Sequence, residues 1–243
     1  AVMAGMSDRP VKTFSIGFEE EAFSELEHAR VVAERYRTEH HEFKVSYGDI
    51  PQIMERIVDA CDEPFADSSA LPMYYLSELT RQHVTVALNG DGGDELFGGY
   101  QRYRLDRFAN LYARLPRLLT QRMIPALVNR LPEPVNVPIE SNPIAGLRRL
   151  QQVADIRACA SIVRWGSYFN EAMKRDLWKP EIYDALSASD SAGILCHAFH
   201  GAKADSFLDR TLYTDSTNYL PGDLLVKADR MTMAHSLEGR SPF

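Results

Sequence analysis

Apolar positions fall into two regimes along this chain. Between Val11 and Leu88 short apolar runs alternate with stretches of helical periodicity. Val11 to Phe18 reads as a strand. Ser24 then offers an N-cap, with Glu27 three residues on in a capping-box pattern, and a helix to about Arg37 follows. His40 to Val45 predicts a second strand. Ile50 to Cys61 predicts a helix with apolar positions at Ile53, Met54, Ile57 and Val58, and Ser69 to Gln82 predicts another. Val84 to Leu88 then reads as a buried strand. Strand and helix in alternation predict an α/β fold with a parallel sheet.

Beyond Tyr100 no convincing strand pattern remains, and apolar residues recur at helical spacing punctuated by prolines. This half is expected to be mainly helical. Leu131 to Pro143, with four prolines and two asparagines, reads as an extended connector. Ala204 to Met233 reads as helical, with a break or kink expected at Pro221-Gly222. The expected division is therefore 1–100 for the α/β part and 101–243 for the helical part.

The most informative segment follows the third strand. Residues 90–100 hold five glycines and three carboxylates, Asp91, Asp94 and Glu95. A loop past the carboxyl end of a parallel strand is where open α/β sheets bind ligands. Glycines let main-chain N–H groups approach a polyanion, whereas clustered carboxylates repel one unless a divalent cation lies between. The pattern fits Mg2+ and a nucleotide, and it equally fits a Gly-Asp surface loop that closes a sheet.

Composition narrows the field. With 243 residues, 45% of them hydrophobic, the chain can bury a sizeable core. A formal net charge of −7 disfavours nucleic acid or an anionic membrane as the main partner. Arg102, Arg104, Arg107, Arg114 and Arg117 form a local basic stretch that reads as a solvated helix face or a basic patch. Cys61, Cys159 and Cys196 show neither metal-ligand spacing nor an even count; a reducing cytoplasm is expected, with Cys61 and Cys196 as inert buried thiols. No apolar run approaches the roughly 18 residues of a membrane span.

Three blocks carry a resemblance. They are Thr13-Phe14-Ser15-Ile16-Gly17-Phe18; Asp62 to Ser69 with Asn89 to Tyr100; and Lys227 to Phe243, which contains Asp229-Arg230-Met231 and Leu237-Glu238-Gly239-Arg240-Ser241-Pro242-Phe243. In this order they resemble the synthetase domain of asparagine synthetase-like class II glutamine amidotransferases. His40-His41 and the run from Tyr100 to Arg104 look most like the subgroup associated with exopolysaccharide and exosortase systems.

The resemblance implies a fold of the adenine nucleotide alpha hydrolase-like, PP-loop type. It also implies an ATP-dependent amide-forming ligase, in which a carboxylate becomes an acyl-adenylate and ammonia from glutamine displaces AMP. ATP and Mg2+ would be the cofactors, aspartate the default carboxylate, and a polysaccharide-related acid the alternative acceptor. By the same resemblance Asp94 would ligate Mg2+, and Asn89 and Gly90 would meet the nucleotide through their main chain. Ile16 would hold the adenine by main-chain hydrogen bonds. Asp91 stands where many relatives carry a glutamate near the reacting intermediate, and Asn89 replaces a commoner serine.

Other residues keep two readings at this stage. Asp67, Ser68 and Ser69 either line the nucleotide cleft or cap the following helix. Lys227, Asp229 and Arg230 either support pyrophosphate or form a structural ion-pair cluster. Glu95 either supports the metal through its ligands or caps a helix. Glu238 and Arg240 are expected as a buried ion pair, and His40 and His41 as structural histidines. The family's Ser-Gly-Gly-x-Asp-Ser loop and its N-terminal glutaminase domain have no counterpart in these residues. That leads to the expectation of a catalytically inactive piece with an open sheet edge and a tendency to self-associate. A non-catalytic nucleotide-binding or scaffolding module, and another kind of adenylating enzyme, are the competing readings.

Overall fold

A computed structural model describes residues 1–18, 24–45, 50–116, 118–132, 144, 146–148, 151, 159–166, 169, 171–186 and 191–242. The expected connector lies outside the described residues from 133 onward, as does Arg117. The chain forms two compact units, one of Ala1–Asp91 with Gly222–Phe243 and the other of Gly92–Pro221. The chain crosses between the units twice, because the last helix and strand return to the first unit.

In that unit, α1 (Val2–Met6) precedes β1 (Lys12–Phe18), α2 (Leu26–Tyr36), β2 (Glu39–Val45), α3 (Ile50–Cys61), α4 (Ala70–Arg81) and β3 (Val86–Leu88). A helix over Leu225–Met233 and the strand β4 (Glu238–Arg240) complete it. β1 pairs in parallel with β2, Lys12 opposite Glu39 and Phe18 opposite Val45. β3 pairs in parallel with β4, Val86 opposite Glu238. The sheet is therefore two separate two-stranded ladders rather than one continuous sheet.

Two strand expectations need correction. Val86 and Leu88 are exposed, because they border an open cavity rather than packed side chains. β4 was not legible as a strand. Its Glu238 and Arg240 do form an ion pair of 2.7 Å, but an exposed one. A three-residue strand with two charged members carries no apolar alternation to read.

The start of α2 also differs. Ser24 is not the cap: the helix begins at Leu26 with Glu25 before it and no side-chain cap bond. Packing decides the start. Leu26 is buried against Gly17, where an added Cβ would stand 2.6 Å from a Leu26 methyl carbon. The core of this unit lies between helices, where Ile53, Ile57 and Cys61 recur every fourth residue on α3 and meet Ala70 and Tyr74 of α4 and Met231. Met54 and Val58, expected on the same face, are exposed, so the buried stripe is one residue wide.

In the second unit every regular element among the described residues is helical, including α5 (Gly93–Phe97), α6 (Gln101–Ala113) and the helix Phe207–Thr214. Pro221 does not break the helical course expected to end there. Asp215–Leu224 widens into π-type turns that accommodate it, and the boundary between the units falls inside this segment. Cys196 is not an inert thiol but is joined to Cys159 by a disulfide. Their spacing of 37 residues gives no hint of the 4.8 Å that separates the Cα atoms. Cys61 is buried and unbonded, and burial raises its thiol pKa. Among the described residues no helix is long and apolar enough to cross a membrane.

Candidate functional site

β3 runs directly into Asn89-Gly90-Asp91. The Asn89 N–H donates to the Arg240 carbonyl (3.0 Å), and its side-chain oxygen accepts from the Ser241 hydroxyl (2.8 Å). Asn89 is thereby tied to the strand beside it. Its carbonyl and the exposed Gly90 remain for a ligand; nothing lies within 4 Å of where a Cβ on Gly90 would stand. Asp91 is half-buried.

Elsewhere in the first unit Lys227, almost fully buried, donates from Nζ to Asp67 and to the Ser69 hydroxyl, both at 2.6 Å. Asp67 also accepts from the Ser69 N–H (2.9 Å) and hydroxyl (2.8 Å). The loop before α4 is folded around this carboxylate. Ser69 holds the N-cap position without making a cap bond, so Asp67 takes up the polar group that a cap would have used. Ser68 is exposed.

Burial pushes the Asp67 pKa upward, but hydrogen bonds from Lys227 and Ser69 outweigh it and hold the carboxyl below its ordinary range. Asp223 moves the other way, raised by burial and by the Asp67 charge against the pull of Lys227. One buried cation therefore serves two carboxylates. Asp229 and Arg230, grouped with Lys227 in the sequence, turn to the exposed side of the same helix. Asp223 was missed, and its only signal was its place directly after Pro221-Gly222.

The second unit holds the rest of the acidic turn. Asp94 is exposed in the first turn of α5, and its carbonyl accepts from the N–H groups of Gly98 (2.9 Å) and Gly99 (3.1 Å). Gly98 has φ +72°, a left-handed conformation that glycine adopts without strain. A Cβ at Gly99 would collide with the Asp94 carboxylate. The two glycines fold the chain back over this exposed aspartate, with its carboxylate lying against Gly99.

Glu95 neither caps a helix nor faces outward. It is buried and accepts from the Tyr100 hydroxyl at 2.5 Å; burial, then the Glu95 contact, push the tyrosine pKa far upward. Nearby Arg102 pairs with buried Asp215 at 2.9 Å, and Tyr103 donates to the same carboxylate at 2.8 Å. The Arg102 guanidinium also lies 4.8 to 5.3 Å from the ring centres of Tyr100, Tyr103 and Tyr219. So the arginine stretch is not one face: Arg102 turns inward, while Arg104, Arg107 and Arg114 line an outer cleft with Phe108 and Leu111.

His40 bonds to the Thr13 hydroxyl (2.9 Å), and His41 stacks between Phe14 and His83. Among the described residues no group of three or more His, Cys, Asp or Glu side chains could hold a metal ion. Mg2+ asks for less, since one or two carboxylates with phosphate oxygens and water satisfy it. The exposed Asp94 carboxylate fits that demand.

Comparison with known proteins adds an independent line. The asparagine synthase family model matches residues 1–243. Asparagine synthetase (glutamine-hydrolyzing) 1 of Bacillus subtilis is 33% identical over 96% of this chain and 34% of its own length. A Methanocaldococcus jannaschii protein provisionally named asparagine synthetase (glutamine-hydrolyzing) 2 is 31% identical over 91% of this chain and 39% of its own. One from Mycobacterium tuberculosis H37Rv, provisionally given the same activity, is 32% identical over 95% and 33%. The chain spans about a third of the length of the curated relatives it matches.

Proposed function

Because the chain belongs to the asparagine synthase family, we propose that it supplies the nucleotide-handling part of an ATP-dependent amide-forming ligase. In this reading a carboxylate, aspartate by default, attacks the α-phosphorus of ATP and pyrophosphate leaves. Ammonia released from glutamine elsewhere then displaces AMP to give the amide. The fold is of the PP-loop type, with residues 1–100 binding the nucleotide and residues 101–243 as the mainly helical part.

The observation that carries the reading is the acidic glycine turn at the exit of β3. Gly90 offers main-chain groups to phosphate without a side chain in the way, and Asp94 offers carboxylate oxygens to Mg2+. When bound, Mg2+ would offset phosphate charge and orient the leaving group. The Val11 carbonyl accepts from the Glu39 N–H of β2, so by strand alternation the Ile16 main chain points to the open edge, where adenine would be met. Asp67 and Lys227 hold the loop before α4, and the third N–H of Lys227 is left for an anion. Asp91 acts near the reacting carboxylate, Ser68 supports the cleft rim, and Arg230 is reserved for the departing pyrophosphate.

ATP titration of the chain with and without Mg2+, followed by calorimetry, tests this. Mg2+ is expected to tighten ATP binding, and Asp94→Asn to abolish that gain while leaving weak metal-free binding. Equal affinity of the two proteins for Mg2+-ATP would sink the reading.

A further inference from the structure

Two helices, one in each unit, carry exposed faces that complement one another. On α3 the buried stripe is Ile53, Ile57 and Cys61, which leaves Met54 and Val58 exposed beside Glu55 and Asp59, and the exposed Asp62 follows the helix. Arg56, the one cation of α3, lies on the flank that acts on His235. On α6 the buried stripe is Tyr103, Asp106, Ala109 and Tyr112. Phe108 and Leu111, each 62% exposed, lie outside it among Arg104, Arg107 and Arg114, in a cleft of about 550 Å3 whose described lining holds no carboxylate. Neither the three acids nor the three arginines are paired within the chain among the described residues.

Helix energetics do not account for where these charges stand. Asp59 and Asp62 lie in the last turn of α3 and just past it, where the helix dipole is negative, and Arg104 lies in the first turn of α6, where it is positive. Like charges three or four residues apart, Arg104 with Arg107 and Glu55 with Asp59, repel as well. We propose that α3 of one copy of this chain docks antiparallel in the α6 cleft of a second copy. Antiparallel packing sets Asp59 and Asp62 beside Arg104 and Arg107, turns Glu55 toward Arg114, and opposes the two dipoles. Met54 and Val58 then cover Phe108 and Leu111. The lengths agree: Arg104 to Arg114 spans about 15 Å of helix and Glu55 to Asp62 about 10 Å. A free polyanion would answer the arginines and leave Phe108 and Leu111 wet, so an acidic helix with its own apolar stripe is the better fit. The formal net charge of −7 on each copy is screened beyond about 10 Å at 0.1 M salt, and the opposite signs of the touching faces decide the contact. The inference involves no strand and does not need the nucleotide reading.

Sedimentation velocity of the chain over a concentration series, at about 0.1 M and about 1 M salt, tests it. Association is expected at the lower salt and is weakened roughly tenfold at the higher, where charges are screened within about 3 Å. Arg107→Glu with Arg114→Glu should abolish it, and so should Glu55→Arg with Asp59→Arg, because cleft and helix then carry one sign. An equimolar mixture of the two variants should associate again: the unaltered α3 of the first meets the unaltered α6 of the second, and the two reversed faces also match. That recovery shows at the same time that each variant is folded. A monomer at every concentration, association that neither reversal changes, or a mixture that stays monomeric overturns the proposal.

Discussion

The two units each bury a cation against carboxylates, and they use it in opposite ways. In the second unit Arg102, Asp215 and Tyr103 pair with one another, with three tyrosine rings around the guanidinium and Glu95 closed off by Tyr100. In the first unit Lys227 keeps one donor in hand, and Asp67 and Asp223 sit at unequal pKa values around it. A network whose charges and hydroxyls pair mainly with one another fixes structure. An incomplete one keeps capacity for a ligand.

The sharpest way to break this contrast is Asp215→Ala, which strands a buried guanidinium. A loss of about 3 to 5 kcal/mol in urea unfolding is expected, with unchanged Mg2+ affinity of the folded protein. A fall in metal affinity at unchanged stability would reverse the assignment. Lys227→Met should cost less, about 2 kcal/mol by the same measurement, because the Asp67 side chain keeps 20% of its exposure and water can partly replace the lysine.

Gly99→Ala comes next, since its methyl group must displace the Asp94 carboxylate. Calorimetry should show Mg2+ affinity reduced several-fold for a stability loss of roughly 1 to 2 kcal/mol. Asp94→Asn should lose the affinity with stability intact.

The smallest effect concerns pH. The lowered Asp67 pKa gives stability that is present above the unfolded value of about 3.9 and is lost as pH falls through the folded one. The raised Asp223 pKa has the opposite sign: its ionisation costs stability above the folded value, and the cost vanishes in acid. Asp223→Asn should therefore stabilise the protein near pH 7 by less than about 1 kcal/mol, the group being partly solvated, and have no effect well below pH 4. Thermal melts across that range check the sign.

Strands, helices and the acidic turn were legible where local pattern decides them. β1, β2, α3 and α4 lie within a residue of their expected bounds because each has its own periodicity and punctuation. What failed depends on distant partners. The start of α2 is set by Leu26 against Gly17, the exposure of β3 by the cavity beside it, and β4 by a strand some 150 residues earlier in the chain. At the site, Asp67, Asn89 and Lys227 could be named from motifs. Their engagement with Ser69, Ser241 and Asp223 could not, since hydroxyls and a lone aspartate leave no periodic trace.

The glycines of the acidic turn are not interchangeable to an engineer. Gly93 has open space where a side chain would grow, so a reporter group could be grafted there without displacing a neighbour, whereas Gly90, equally open, must stay bare to meet phosphate. Position 99 is closed to any such graft, and a library randomised across the loop and selected for nucleotide binding should return diversity at position 93 and glycine at 90 and 99.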